Sequence, residues 1–126
     1  MTASYDSLAK PDTAKCARLN DDCRWGRGDR SNFRHMMTMG VVALLDDDAD
    51  PVTQVMRRAQ LHAAIRQYPF KEGDGSERDF GGFTFLGANL FFKIDAYDRE
   101  CEYGSPDPED ASVTVRVMTV MLVSEY

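Results

Sequence analysis

DFGGFTFLGANLFFKIDAYD, residues 79–98, sets two aromatic-rich runs on either side of a glycine, and the way it bends decides the fold. A two-residue turn at Gly87-Ala88, glycine first, joins strands over 80–86 and 89–97 as an antiparallel hairpin. That register pairs Phe85 with Leu90, Phe83 with Phe92 and Gly81 with Ile94. Side chains alternate along a strand, so Phe83, Phe85, Leu90, Phe92 and Ile94 share one face, which is too apolar for water and must be core. The opposite face carries Phe80, Thr84, Phe91, Lys93, Asp95 and Tyr97, three aromatics around an opposite-charge pair. A helix is expected to cover it; left uncovered, Phe80, Phe91 and Tyr97 become an interface.

Upstream, Asp12 or Thr13 caps a helix in which Cys16, Leu19 and Cys23 recur at helical spacing and which Gly26 stops. FRHMMTM predicts a third strand over 33–39. Asp50-Pro51 opens a second helix running to Tyr68, because proline suits the first helical position and the aspartate accepts from an orphan amide. Along it Val52, Val55, Met56, Ala59 and Ala63 form one stripe, with Leu61, Ile65 and Tyr68 opposite, so the helix is expected to be sandwiched. Downstream of the hairpin, Val113, Val115 and Val117 alternate like a strand, yet Val113, Val117, Val120 and Met121 also share a helical face. Asp107 as cap, Pro108 at the first position and Glu109 and Asp110 in the first turn favour a helix over 108–123. The expected fold is α+β, a small antiparallel sheet of two or three strands around a central hairpin, packed with three helices. Residues 12–126 form a single domain behind a flexible tail at 1–11.

Composition sets the outer limits. At 126 residues, with 43% hydrophobic and 29% charged residues, the chain suffices for one core without crosslinks. Met1 to Lys10 shows no basic segment leading into an apolar one, and no apolar run reaches the length of a membrane span, so the reading is a cytosolic protein with no membrane association. Cys16, Cys23 and Cys101 cannot all pair, and Cys16 and Cys23 lie too far apart along one helix for a disulfide, which leaves free buried thiols. With only His35 and His62 besides, no zinc-ligand spacing exists, and neither metal nor cofactor is expected. The net charge of −6 is unevenly spread: residues 1–45 carry +2, residues 46–94 carry −2 and residues 95–126 carry −6. An acidic end repels nucleic acid and attracts basic proteins.

The candidate sites follow from that asymmetry. In FFKIDAYDRECEYGSPDPED, residues 91–110, Asp107, Glu109 and Asp110 are explained by the helix they start. Asp95, Asp98, Glu100 and Glu102 remain, either a solvated loop or a patch for a protein partner with a basic surface. An enzymatic alternative places Asp79 and Asp95 with Lys93 in a metal-dependent nucleic-acid-processing site, which requires oxygens converging on one ion. RWGRGDRSNFRH, residues 24–35, holds Arg24, Arg27, Arg30 and Arg34 with Trp25 and Phe33. That is the composition of a single-strand binding loop, although the acidity of the chain favours a salt-laced face, including one against the acidic end of another copy in a homo-oligomer.

LND at 19–21, DFGGF at 79–83, FFKIDAYD at 91–98, SPDPED at 105–110 and VTVRVMTVMLVSEY at 113–126 resemble, in order and spacing, a domain-of-unknown-function family, number 3768, over about Cys16 to Tyr126. The resemblance implies a habitat on proteobacterial plasmids, phages and integrated elements, and no mechanism. Together with the acidic end and the lack of a catalytic constellation, it gives the expected function: a non-enzymatic accessory protein of a mobile element that binds a host or defence protein, in its sharpest form an anti-defence inhibitor of the anti-CRISPR kind.

Overall fold

The computed structural model describes residues 13–126, so the expected tail at 1–11 and the Asp12 cap lie outside the described residues. In chain order the elements are helix α1 (Thr13–Trp25), strand β1 (Phe33–Met37), helices α2 (Met39–Asp46) and α3 (Pro51–Arg66), hairpin strands β2 (Phe80–Phe85) and β3 (Ala88–Tyr97), and strand β4 (Val115–Leu122). Short 3-10 turns sit at Arg30–Asn32, Ala111–Val113 and Val123–Glu125.

The hairpin forms with its turn one residue earlier than expected. Leu86 and Gly87 take φ of 50° and 78°, the two positive values of a type I′ turn, and Phe85 pairs with Ala88. The register therefore sets Phe83 opposite Leu90 and Gly81 opposite Phe92. A slip of two residues preserves the alternation, so the faces stay as expected. Packing decides between the registers. A Cβ on Gly81 would lie 2.6 Å from the Phe92 ring and 2.8 Å from that of Tyr68, so only glycine fits opposite Phe92. Around that gap Tyr68 and Phe70 meet Phe92 edge-on at centroid distances of 5.4 and 6.1 Å.

The expected helix over 108–123 is instead β4, the second strand of a four-stranded mixed sheet ordered β1-β4-β3-β2. β4 runs antiparallel to β3 and parallel to β1, whose five residues end at Met37 rather than 39. The β4 residues from Val115 to Met118 are buried on both faces of the strand, which is why the segment reads as a nearly continuous apolar run. The capping signal before it is real but serves a shorter structure: Asp110 accepts from Ser112 N at 2.9 Å and closes the 3-10 turn at Ala111–Val113. The same side-chain acceptor suits either kind of turn, so its presence does not fix helix length.

All three helices pack on one face of the sheet. Val41 and Leu45 of α2, Leu61 and Ile65 of α3 and Cys23 of α1 meet Leu90, Phe92, Ile94, Met118 and Val120 in the core, with Phe83 and Phe85 at its edge. α3 is not sandwiched. Leu61 and Ile65 are fully buried, whereas Val52 and Val55 are each 68% exposed and Met56 and Ala59 face outward beside them. Cys16 and Cys23 are free and buried, as expected, and burial raises the Cys23 thiol to about 12.

Helix α2 completes the count of three in place of the expected C-terminal helix. Its N-terminus is closed from 85 to 87 residues away: Glu125 accepts from Thr38 Oγ1 at 2.6 Å and from Gly40 N at 3.1 Å, and also from Leu122 N at 2.9 Å. A carboxylate there satisfies an orphan amide and meets the positive end of the helix. Its C-terminus is closed by Arg57, which donates to the carbonyls of Leu45 and Asp47 at 3.0 and 2.8 Å, and Arg58 pairs with Asp46 at 2.9 Å.

Two outcomes follow. Gly81→Ala should lower the free energy of unfolding, read by urea titration, by about 1–3 kcal/mol, the usual cost of overfilling a packed core. The hydrogen bond from Thr38 and those from Leu122 N and Gly40 N hold the Glu125 carboxyl below its ordinary value. Its contribution is thus present above the unfolded glutamate range and lost as pH falls through the depressed folded value. Glu125→Gln should lower the melting temperature at pH 7, with the gap from the unaltered protein closing as the pH is taken into the acid range.

Candidate functional site

The face of the sheet turned away from the helices carries Phe80, Phe91, Lys93, Asp95 and Tyr97 from the hairpin, Thr119 and Met121 from β4 and Met36 from β1. No helix among the described residues covers it, contrary to the expected cover. Phe80 lies tilted on Phe91 at 5.0 Å and Tyr126 meets Phe91 edge-on at 5.3 Å, which buries Phe91 while Phe80 stays 49% exposed and Tyr126 88% exposed. The result is an aromatic strip on an open surface. Tyr97 stands at the far end of β3, half-buried and paired with Val115, and is outside the strip's ring contacts.

Where β3 ends, the chain enters the acidic loop. Asp95 remains on the sheet, its Oδ2 at 3.0 Å from Lys93 Nζ, so one of the four expected patch carboxylates is already neutralised. Asp98 shapes the loop by accepting from Glu102 N at 3.0 Å. Glu100 and Glu102 are exposed, and Asp98, Glu100 and Glu102 have no ion-pair partner among the described residues. Arg99, within the loop, turns inward to Asn32 Oδ1 and the Thr114 carbonyl at 2.9 and 3.1 Å, which fixes the loop against the turn before β1. The enzymatic alternative finds a different geometry. Asp79 meets β3 through its backbone carbonyl, 2.8 Å from Ile94 N, and Lys93 is held by Asp95. Among the described residues no three His, Cys, Asp or Glu side chains gather as a metal site.

The basic stretch divides in two. Arg24 is buried, donating to Asp21 at 2.8 Å with its guanidinium 4.8 Å over the Phe70 ring, and Arg27 pairs with Asp22 and lies 5.3 Å from the Trp25 ring. Arg30, Arg34 and Trp25 instead line a cleft of about 390 Å³ with Phe33, where they are joined by His35, His62 and Arg66. The sequence reading passes over those three. His62 and Arg66 are one helical turn apart beside the buried Leu61/Ile65 pair, a spacing that carries a signal only once β1 is known to lie alongside. His35 is held by its Nε2, which donates to the Cys23 carbonyl at 2.5 Å, and its ring lies 5.8 Å from that of His62. Burial, then the positive fields of His35 and Arg66, push the His62 pKa down.

A polar hub sets these surfaces in place. Arg116, buried on β4, donates to Asn20 Oδ1 at 2.7 Å and to the Pro108 carbonyl at 2.8 Å, while Asn20 donates to the Glu77 carbonyl at 2.9 Å. Beside it Asp21 accepts both Nε and a terminal nitrogen of Arg78 at 3.0 and 2.6 Å. Burial raises the Asp21 pKa, but the bonds from Arg78 and Arg24 outweigh it and leave the group below its ordinary value. The LND triplet is thus a structural fastening of α1.

Among the described residues these features define the class: an α+β domain with three helices on one face of a mixed four-stranded sheet and its surface chemistry in an open aromatic face, an acidic loop and a cationic cleft. The chain belongs to the family described as "Protein of unknown function (DUF3768)", whose model matches residues 37–125. The match covers α2 through the C-terminal turn, and α1 with its LND triplet precedes it. No curated protein and no solved structure matches the chain. No helix of the described residues is long and apolar enough to cross a membrane.

The cleft yields its own outcome. The His62 imidazole should titrate below the ordinary histidine value of about 6.5 when followed by NMR, and Arg66→Ala should raise its midpoint by removing one of the fields that depress it. The unfolded chain then takes up this proton more readily than the folded one, so the contribution of His62 to stability declines as pH falls through the imidazole range.

Proposed function

We propose that this protein is a non-enzymatic accessory factor that docks onto a protein with a basic surface through the open face of its sheet and the acidic loop at the end of β3. The observation that carries the reading is the aromatic strip in which exposed Phe80 and Tyr126 lie over the buried Phe91 on the face that no described helix covers. An aromatic patch of this kind supplies contact area at low entropic cost, and unpaired carboxylates beyond the far end of β3 steer a basic partner toward the same face. Asp98, Glu100 and Glu102 are the steering groups, whereas Asp95 contributes less because Lys93 already answers it. The outward Val52, Val55 and Met56 stripe of α3 adds an apolar surface on the opposite side that supports contacts between copies. Within this reading the partner is a host or defence protein met in the bacterial cytosol, and the mobile-element habitat implied by the family resemblance favours an anti-defence inhibitor of the anti-CRISPR kind.

Changing Asp98, Glu100 and Glu102 together to lysine, and separately Phe80 to glutamate, should each reduce capture of the partner from the native host by about tenfold or more while leaving the melting temperature within a few degrees. A salt series should weaken the unaltered complex steadily. Capture that survives both changes removes the proposal. A melting-temperature gain in magnesium or manganese that Asp95→Asn abolishes would favour the enzymatic alternative at Asp79, Lys93 and Asp95 instead.

A further inference from the structure

The cleft bounded by Trp25, Arg30, Arg34, His35, His62 and Arg66 lies at the β1 edge of the sheet, removed from the aromatic strip although Arg34 shares the open face with Asp95, and its charge is unlike that of the rest of the molecule. Seven of the eleven arginines are engaged by carboxylates or by carbonyl and amide oxygens: Arg24, Arg27, Arg57, Arg58, Arg78, Arg99 and Arg116. Of the four with no ion pair or hydrogen bond among the described residues, Arg30, Arg34 and Arg66 line this one cleft, and only Arg18 lies elsewhere. A chain with 21 carboxylates has no shortage of counter-charges, yet none lines this cleft. Two sequence-distant segments converge to build it: residues 25–35, from the last residue of α1 through the turn into edge strand β1, and the last turns of α3. Gly26, with φ of 71°, turns the chain out of α1 beside the His35 and Phe33 rings.

We propose that this cleft binds a small phosphate monoester carried on a flat ring, of the size and chemistry of a nucleoside monophosphate. Guanidinium groups match a phosphate in fork geometry, and the His62 imidazole can add a donor, whereas the Nε2–H of His35 is committed to the Cys23 carbonyl. The Trp25 and Phe33 rings form the apolar part of the wall, where a base can stack. The volume of about 390 Å³ lies in the range of small-ligand sites. The surroundings select a compact ligand over a nucleic-acid strand. Arg99 ties the acidic loop to Ser31 and Asn32, next to Arg30, so a strand leaving the cleft on that side runs into Asp98, Glu100 and Glu102. Burial depresses the His62 pKa first and the positive fields of His35 and Arg66 add to it; a bound dianion would offset the latter part.

Calorimetric titration of the full chain with adenosine 5′-monophosphate, adenosine and inorganic phosphate tests the assignment. The monophosphate should bind at sub-millimolar concentration and at least about tenfold more tightly than adenosine, with phosphate alone weaker but detectable. Arg34 and Arg66 are exposed, so Arg34→Ala and Arg66→Ala should fold normally, and each should weaken the monophosphate by about tenfold. The His35 and His62 ring signals should shift on binding in the unaltered protein. The proposal is overturned if neither the monophosphate nor phosphate gives heat or ring shifts at about 5 mM. It is also overturned if both arginine variants bind as the unaltered protein does. Tighter binding of an oligonucleotide lacking a terminal phosphate would assign the cleft to a nucleic-acid strand and overturn it as well.

Discussion

A buried guanidinium sets the terms for this fold. Arg116 lies in the middle of the sheet beneath α1, and removing a fixed charge from water is tolerable only where its donors find acceptors. Burial draws its pKa down, and the partners come from three directions: Asn20 on α1, the Pro108 carbonyl in the loop before β4, and, through Asn20, the Glu77 carbonyl ahead of β2. One side chain therefore fixes how the first helix lies, how the acidic loop returns to the sheet and where the hairpin begins. The pair of Asp21 with Arg78 extends the same fastening. Leaving any one of these groups unpaired in the interior costs more than the bond itself contributes, so the hub confers specificity of arrangement more than net stability.

Both candidate surfaces hang from this hub. The loop that carries Glu100 and Glu102 is anchored at its far end by the Pro108 carbonyl and at its near end by Arg99, which reaches Ser31, Asn32 and Thr114. The turn that presents Arg30 to the cleft is thereby held against the loop that presents the carboxylates. Opposite charges are kept a short way apart on one end of the molecule without cancelling each other, because the arginine between them is spent on neutral oxygens. A chain of net charge −6 can in this way carry a compact cationic cleft.

The hairpin and the inward set of phenylalanines were legible in the sequence because strand alternation is strict, and even a two-residue error in register returns the same faces. The second helix was legible from Asp50-Pro51, and Asp50 indeed accepts from Thr53 N at 2.8 Å. What failed did so for identifiable reasons. The segment from Val113 to Leu122 satisfies two periods, and the choice between them was made on a capping signal that a three-residue turn uses equally well. Sheet position, a non-local property, decided it: β1 and β3 pair with both edges of β4 and supply the backbone hydrogen bonds that a helix would have made internally. Helix α2 was missed although Thr38 caps it locally, accepting from Val41 N at 3.4 Å, because the carboxylate that completes the cap, Glu125, comes from the other end of the chain rather than three residues on. The cleft was half legible. Arg30, Arg34 and Trp25 stood out by composition, but His62 and Arg66 join them only through the packing of α3 against β1, and Arg24, indistinguishable in sequence, was drawn inward by Asp21 and the Phe70 ring.

The open sheet face raises the question of why a two-layer domain leaves one side of its sheet bare. Antiparallel sheets tolerate it when the outer face is polar, with clean alternation along each strand. Here the alternation is incomplete: Phe91, Val115 and Val117 on the outer side are nonetheless buried. Neighbouring side chains achieve this, with Phe80 and Tyr126 lying over Phe91. The aromatic residues left outermost are therefore lids on the sheet as well as contact surface, and their exposure is not a packing defect that a small substitution would cure. Removing Phe80 would uncover part of Phe91 and lose the outermost ring of the strip. A surface built in this manner is maintained apolar by its own construction, which distinguishes it from the scattered exposed hydrophobics that any soluble domain carries.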